Sequence, residues 1–109
     1  MAWNVYFFQT ASGDCPVRKF IKEQDEVVYT KILHLVMLLK DHGPLLRPPY
    51  SKKMQNNLYE LRVSGSIAIR IFYTLYRNEY FLLHAFKKKS QKTPHKEIKT
   101  ALDRMRKLI

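Results

Sequence analysis

The sequence has one cysteine, three glycines and no apolar run long enough to cross a membrane. The single thiol at Cys15 cannot form an internal disulfide, and a membrane span needs roughly 20 consecutive apolar residues. The N-terminus lacks a charged segment followed by a long apolar core, so we expect no secretory signal peptide. These features predict a cytoplasmic protein in a reducing compartment with no membrane partner.

Metal-ligand spacings and Gly-rich phosphate loops are also missing. His34 and His42 have no cysteine or carboxylate partners at a spacing typical of metal ligands. Cys15 has no histidine-containing signature around it, which favours a small buried side chain. The absence of a Gly-rich loop leaves nucleotide hydrolysis unsupported. We therefore expect neither a metal site nor a cofactor.

Acidic residues are scarce, with 9 Asp and Glu against 20 Lys and Arg, and their distribution is uneven. Residues 1–50 contain six basic and five acidic residues, whereas residues 51–109 contain fourteen and four. An electropositive side built from the second half predicts an anionic partner, either nucleic acid or an acidic protein segment. A generally basic, soluble surface is the alternative interpretation.

The length of 109 residues and the 46% hydrophobic content predict one domain over residues 1–109, with a single modest core. Apolar periodicity and turn signals divide the chain into elements. Strands are predicted at 3–9, 58–63, 67–76 and 80–86; helices at 15–23, 25–41 and 94–108; and a connection at 45–57. Asp14 is the predicted cap of the first helix and Thr93 that of the last.

This order of elements, β-α-α-β-β-β-α, predicts an α+β fold. It would be a small curved antiparallel sheet with two N-terminal helices and a C-terminal helix, all on one face. Strand alternation puts Arg62 on the same side as Glu60, and Arg70 on the same side as Phe72. We expect Arg62 and Arg70 to lie on adjacent strands of the face that the helices leave open.

Residues 84–101 carry the strongest functional signal. Lys87, Lys88, Lys89 and Lys92 are held between the last strand and a helix predicted to start at Thr93-Pro94. Lysines and the unpaired amides of a helix N-terminus both favour anions. We therefore expect a phosphate site that contacts a nucleic-acid backbone, with RNA favoured.

Three motifs then carry a family resemblance: Leu-Tyr-Glu-Leu-Arg at 58–62, Ile-Arg-Ile-Phe-Tyr at 69–73, and the block from Leu83 to Pro94 with Glu97-Ile98. Together they resemble the HigB-type branch of the RelE/ParE toxin superfamily over residues 3–107. The Phe-Lys-Lys-Lys-Ser-Gln-Lys-Thr-Pro block is the specific part. The resemblance implies a RelE-like fold.

The resemblance also implies a function, that of a toxin in a type II toxin–antitoxin pair. Such toxins bind in the ribosomal A site and cleave mRNA without a metal. The implied partners are the ribosome, mRNA and a cognate antitoxin, a HigA-like helix-turn-helix protein through which alone operator DNA would be contacted. Two alternatives stay open: a non-catalytic ParE-like toxin that blocks DNA gyrase, and a nucleic-acid or antitoxin-binding protein without toxicity.

The candidate site residues follow from the resemblance and from the needs of RNA cleavage, which are charge stabilisation at phosphorus and proton transfer. Arg70 suits a bidentate grip on phosphate, and crowding would lower the pKa of one lysine. No tyrosine follows Tyr80, so His95 is the nearest substitute for a late proton-transfer residue. The predicted catalytic residues are Arg62, Arg70, Lys87, Lys88, Lys89 and His95, and the predicted RNA-binding residues are Lys52, Lys53, Phe72, Phe86, Lys92 and Lys96.

Each of these assignments has a structural alternative. Arg62 and Arg70 could pair with Glu60 or Glu79, and the lysines could form a solvated loop. The rings of Phe72 and Phe86 could belong to the core instead of stacking on bases. His84, among apolar neighbours, favours a packed or hydrogen-bonded histidine. Glu60 could be a general base, although pairing with Arg62 is simpler.

Overall fold

The computed structural model describes residues 2–108, which form five strands, three α-helices and one short 3₁₀ helix. No helix in this part of the chain is long and apolar enough to cross a membrane. The predicted α+β class is confirmed. In chain order the elements are β1 (Val5–Phe7), α1 (Pro16–Lys22), α2 (Glu26–His42), the 3₁₀ helix (Gly43–Leu45), β2 (Ser51–Gln55), β3 (Leu58–Val63), β4 (Ile69–Tyr76), β5 (Glu79–Lys87) and α3 (His95–Arg106).

The strands form a single sheet in the order β1-β5-β4-β3-β2. β1 pairs with β5 in parallel, and the other neighbours are antiparallel, which the short connections predicted for β3–β4 and β4–β5. Arg77 and Asn78 join β4 to β5 with φ values of 50° and 64°. Positive φ at both residues of a two-residue loop is the type I′ geometry that matches strand twist.

Strand β2 corrects the prediction of a connection over residues 45–57. It runs antiparallel to β3 and forms one edge of the sheet. Lys52 and Lys53 are exposed on it, and three prolines at 44, 48 and 49 precede it. Prolines followed by charged residues are typical of a loop. An edge strand can have the same composition because it needs little apolar pattern of its own.

Both predicted caps, Asp14 and Thr93, differ from the structure, and the one side-chain cap seen within residues 2–108 belongs to α2. Asp25 caps α2 by accepting a 2.9 Å hydrogen bond from the amide of Val28. Asp14 does not cap α1; its carboxylate accepts from the Ser12 hydroxyl, and Cys15 is the N-cap residue without a side-chain bond. In α3 the N-cap residue is Pro94 and no side chain caps it, so the prediction for Thr93 was wrong.

The helices lie on both faces of the sheet, which corrects the expectation of a single covered face. One core joins α1 and α2 to Ile69, Ile71 and Tyr73 of β4. A second core joins α3 to Phe72 of the same strand. Alternation along β4 sends these two sets of side chains to opposite faces. The C-terminal helix therefore covers part of the face that was expected to be open.

A bulge in β5 resets its alternation. Phe72 pairs with His84, whereas Tyr73 pairs with Leu82, so Leu83 is the extra residue. Tyr80, Leu82 and Ala85 consequently share the face of α1 and α2. Strict alternation had put Ala85 opposite Leu82. The inserted residue shifts the strand by one position, which moves every later side chain to the other face.

Candidate nucleic-acid interface

Arg62 and Arg70 face each other across the antiparallel pair of β3 and β4, where they are direct register partners. Direct partners point to the same face, so the predicted pairing of the two arginines is confirmed. Glu60 is on this face too, opposite Phe72. The β3–β4 hairpin thus presents two guanidinium groups and one carboxylate beside one another.

Glu60 is the buried centre of this group, with only 2% of its surface exposed. Its Oε1 lies 3.6 Å from Nε of Arg62 and 3.7 Å from Nε of Arg70. These ion pairs are longer than the 2.7–3.2 Å typical of hydrogen bonds. Within residues 2–108, Oε2 of Glu60 and both Nε atoms are buried without a hydrogen-bond partner. The cluster is therefore paired in charge but incomplete in hydrogen bonding.

Only 8% of the surface of Arg70 is exposed, which is less than expected for an arginine that is free to bind phosphate. Its Nη1 donates to the carbonyl oxygen of Ile69 at 3.0 Å and to that of Val63 at 3.4 Å. Burial lowers the pKa of Arg70, and Arg62 lowers it further, whereas Glu60 raises it. The alternative in which both arginines pair with Glu60 is thus what the structure contains.

Lys88 enters the cluster from the end of β5. Its amide donates a 2.8 Å hydrogen bond to the carbonyl of Ala68, which extends the pairing of β4 and β5. Partial burial and the charge of Arg70 lower the pKa of Lys88, and Arg62 and Lys52 lower it further, against the raising effect of Glu60. The surroundings of Lys88 therefore favour loss of its proton.

These side chains surround an open cavity of about 480 Å³, which we call the basic cavity. Four cationic residues line it together with three small or polar ones: Arg62, Arg70, Lys88, Lys89, Ala68, Ser90 and Gln91. One carboxylate, Glu60, offsets only part of this charge. An open cavity with excess positive charge suits an anion, and phosphate is the anion that arginine and lysine together bind best.

Comparison with protein families gives one match, to the family described as phage derived protein Gp49-like (DUF891), over residues 19–106. This covers most of the chain, including every residue that lines the basic cavity. The chain belongs to the Gp49-like family. The sequence matches no curated protein.

The Gp49-like family is a toxin-like family of the RelE/HigB type. Membership supports the coarse part of the functional prediction, a toxin of the toxin–antitoxin kind. A toxin of this kind implies an antitoxin as its partner. Membership alone specifies neither the reaction nor the target.

Several predicted site residues of this Gp49-like protein lie outside the basic cavity. Lys87 pairs with Ile69, whose side chain belongs to the core under α1 and α2, so Lys87 points to the opposite face from Arg70. Lys53 pairs with Tyr59, and both Lys53 and Lys52 line a separate cavity. Lys52 pairs with Glu60, so its side chain is on the same face of the sheet as the basic cavity, on the edge strand β2. The remaining three are exposed and do not line the cavity: Lys92, His95 and Lys96.

Phe72 and Phe86 are core residues, which corrects their assignment as base-stacking platforms. Phe72 has no exposed surface and Phe86 has 6%. Their ring centroids are 5.5 Å apart, in the core that α3 covers. Neither ring leaves a face for an RNA base, because α3 occupies the side that was expected to be open.

A second charged group, which we call the His84 cluster, joins β5 to α3. Nε2 of His84 and Oε1 of Glu97 are 2.8 Å apart. Nη1 of Arg104 donates to the carbonyl of Leu83 at 2.8 Å and lies 3.4 Å from Nδ1 of His84. The prediction of a hydrogen-bonded His84 is confirmed. Glu97 also puts a carboxylate in the first turn of α3, where the predicted phosphate would have been placed.

Two features of the site were missed or undervalued in the sequence. The alternation of Glu60 and Arg62 along β3 was sufficient to place the carboxylate on the arginine face. The lining residues Ser90 and Gln91 carried no signal, because polar loop residues are common.

In the described part of the chain, residues 2–108, no group of three or more His, Cys, Asp or Glu side chains is arranged to hold a metal ion.

Proposed function

We propose that this protein is a HigB-type toxin that cleaves mRNA at the ribosome and so stops translation. The observation that carries the proposal is the convergence of Arg62, Arg70, Lys88 and Lys89 on one open cavity. Membership of a toxin-like family supports it independently. The cognate antitoxin would act by keeping mRNA away from this cavity or by altering its shape.

The reaction is a transesterification within the RNA backbone. A bond forms between the 2′-oxygen and phosphorus, the bond from phosphorus to the 5′-oxygen breaks, and a proton passes overall from the 2′-hydroxyl to the leaving 5′-oxygen. Negative charge grows on the phosphoryl oxygens as this happens. Cations fixed in advance around that position stabilise the transition state more than the ground state.

Each cavity residue has a distinct part in this proposal. Arg62, the more exposed arginine, contacts the phosphoryl oxygens, Arg70 adds positive charge from its buried position, and Glu60 is a positioning residue that fixes their spacing. Lys88 donates the proton to the 5′-oxygen, because a lowered pKa makes its ammonium group a better acid. Lys89, at the rim, attracts the RNA backbone. His95, exposed at the start of α3, has no place in this proton path.

Adding the purified protein to translating ribosomes and mapping mRNA ends by primer extension tests this proposal. The wild type is expected to cut mRNA inside codons. Lys88→Gln should lower the rate by about 100-fold, the usual cost of removing one transition-state contact. The matched variant Lys87→Gln removes the same charge one residue away, on the opposite face, and should cut as fast as the wild type.

A second candidate function is supported by the burial of Arg70 and its pairing with Glu60. A structural role for these groups suits a ParE-like toxin that blocks DNA gyrase without catalysis. A supercoiling assay separates the two candidates. Intact mRNA at saturating protein, together with inhibited supercoiling, would contradict the proposed cleavage and favour the gyrase target.

A further inference from the structure

A second cavity, of about 500 Å³, lies at the edge of the sheet between the middle of α2, the segment before β2 and the end of β3. We call it the edge groove. The residues that matter for its chemistry are Lys31, His34, Leu35, Tyr50, Arg62 and Val63. None of the functional assignments made so far uses it.

Arg62 connects the edge groove with the basic cavity, since this residue lines both. The amide of Arg62 donates a 2.9 Å hydrogen bond to the carbonyl of Tyr50, which fixes the two residues side by side. About a third of the Arg62 side chain, 32%, is exposed. A group bound in the groove and a phosphate bound in the cavity would therefore share Arg62 as a neighbour.

We propose that the edge groove binds the base of the nucleotide adjoining the phosphate in the basic cavity. This inference rests on the proposed function and specifies how the RNA is held. It replaces the predicted stacking on Phe72 and Phe86, which are buried, with a ring that is accessible.

The walls of the groove match the surface of a nucleobase, which has apolar faces and polar edges. Leu35 and Val63, both almost fully buried, form an apolar floor. Tyr50 is 45% exposed, and its ring makes no aromatic contact within residues 2–108. An accessible aromatic ring stacks on bases of any sequence. His34 and Arg62 supply polar groups for the edge of the base.

Lys31 limits the length of the groove. Its Nζ donates a 3.3 Å hydrogen bond to the carbonyl of Ser64 and packs against Gly65, so it bridges α2 to the end of β3. A groove of about 500 Å³ that is bridged in this way suits a compact planar group better than a protein helix. The positive charges of Lys31 and Arg62 favour an attached phosphate.

A binding experiment with short single-stranded RNA tests the inference. The RNA carries 2′-O-methyl groups so that it cannot be cut, and binding is followed by fluorescence anisotropy at low salt. Tyr50→Ala is expected to weaken binding about tenfold, within the range for loss of one stacked base. Tyr50→Phe, which keeps the ring, should restore binding. Tyr29→Ala removes an exposed tyrosine of α2 outside the groove and should bind like the wild type.

A series of RNAs with one abasic position moved along the strand completes the test. At one position the wild type should bind as weakly as Tyr50→Ala, and Tyr50→Ala should lose nothing more. An equal effect of Tyr50→Ala on full and abasic RNAs would overturn the inference, as would no effect on either or no measurable wild-type binding. Weaker antitoxin binding with unchanged RNA binding would overturn it in favour of a protein occupant.

The outcome is separable from that of the proposed function. If Tyr50→Ala is neutral while Arg62→Gln loses RNA, the base site is wrong and the phosphate site stands. If the abasic series behaves as expected but ribosomal mRNA stays intact, the base site stands and the proposed cleavage is wrong.

Discussion

The basic cavity and the His84 cluster are two charged groups on the same face of the sheet, each built around one carboxylate. Glu60, Phe72 and His84 occupy one row across β3, β4 and β5, so the ring of Phe72 separates the two groups. In the His84 cluster, Glu97 lies 2.8 Å from Nε2 of His84, and Arg104 donates a 2.8 Å hydrogen bond to the carbonyl of Leu83. Glu60 keeps its two arginines at 3.6 and 3.7 Å, and one of its oxygens has no partner among residues 2–108.

The difference separates a structural charged group from a functional one. The His84 cluster is satisfied internally, so its bonds fasten α3 to β5. The group formed by Glu60, Arg62 and Arg70 has more positive charge than its one carboxylate can offset. The Nε atoms of both arginines are buried and have no acceptor within residues 2–108. Buried polar groups are nearly always hydrogen-bonded in native proteins, so such exceptions need a reason. Because the unpaired atoms are themselves buried, we propose that a bound phosphodiester offsets the excess positive charge of the group instead of bonding to those atoms.

The largest effect is expected from neutralising the two carboxylates in turn. Glu60→Gln leaves Arg70 buried without an opposite charge, and breaking a buried pair in this way costs about 3 kcal/mol of unfolding free energy. Glu97→Gln keeps an oxygen that can accept from His84, so its cost should stay near 1 kcal/mol. Urea denaturation measures both. Equal losses would show that the two groups do not differ in kind.

Removing one arginine from each group should separate activity from stability. Arg62→Gln should slow mRNA cleavage by about 100-fold, because a transition-state contact is lost, with little change in stability. Arg104→Gln leaves the Leu83 carbonyl unpaired and should cost about 1–2 kcal/mol of stability without slowing cleavage. Primer extension and urea denaturation give the two readings. Slower cleavage by folded Arg104→Gln would contradict the structural assignment of the His84 cluster.

A smaller effect is expected in the salt dependence of RNA binding. Each phosphate contact with single-stranded RNA adds about 0.7 to the slope of log affinity against log salt. Lys89→Gln removes one cation from the rim of the basic cavity and should reduce the slope by about this amount. Anisotropy titrations over a range of salt measure it. Arg106→Gln is the matched control: Arg106 pairs with Asp103 on the surface of α3, and the slope should not change.

The smallest effect is expected in stability, from Lys88. Its folded-state pKa lies below its ordinary value of 10.5, so the protonated side chain destabilises the fold. Between these two pKa values the unfolded chain binds more protons, and the unfolding free energy of the wild type rises with pH. Lys88→Gln should therefore be slightly more stable than the wild type at neutral pH, and the gain should disappear as pH rises through this window.

The same titration has a consequence for catalysis. If the Lys88 ammonium is the acid, cleavage should decline as pH rises through its lowered pKa. A Lys88→Arg variant, which stays protonated, should lose this decline. An unchanged pH profile in that variant would remove Lys88 from the proton path.

Much of the fold could be predicted from local patterns. The bounds of β3 at 58–63 agree with the structure, and the short gaps fixed the antiparallel hairpins. The facing arginines followed from alternation on both strands, which needs no knowledge of the core. The periodic Val28 and Ile32 placed the start of α2 at Asp25 or Glu26, and the helix begins at Glu26.

The remaining features depend on contacts that local patterns do not specify. The apolar stripe of α3 shows that it packs against something but does not select a face, and its actual position buries Phe72 and Phe86. The bulge at Leu83 depends on pairing with β4 and changes the faces of β5. That pairing also turns Lys87 away from the basic cavity, whereas Lys88 and Lys89 line it. The sequence alone could not distinguish the three lysines.

Strand β2 has one side without a hydrogen-bonding neighbour, and its two adjacent lysines point to opposite faces of the sheet. A second copy that tried to extend the sheet there would bring like charges together above and below the new strand. The two lysines thus oppose growth of the sheet at this edge. A toxin released from its partner would meet this electrostatic barrier before its β2 edge could join another copy.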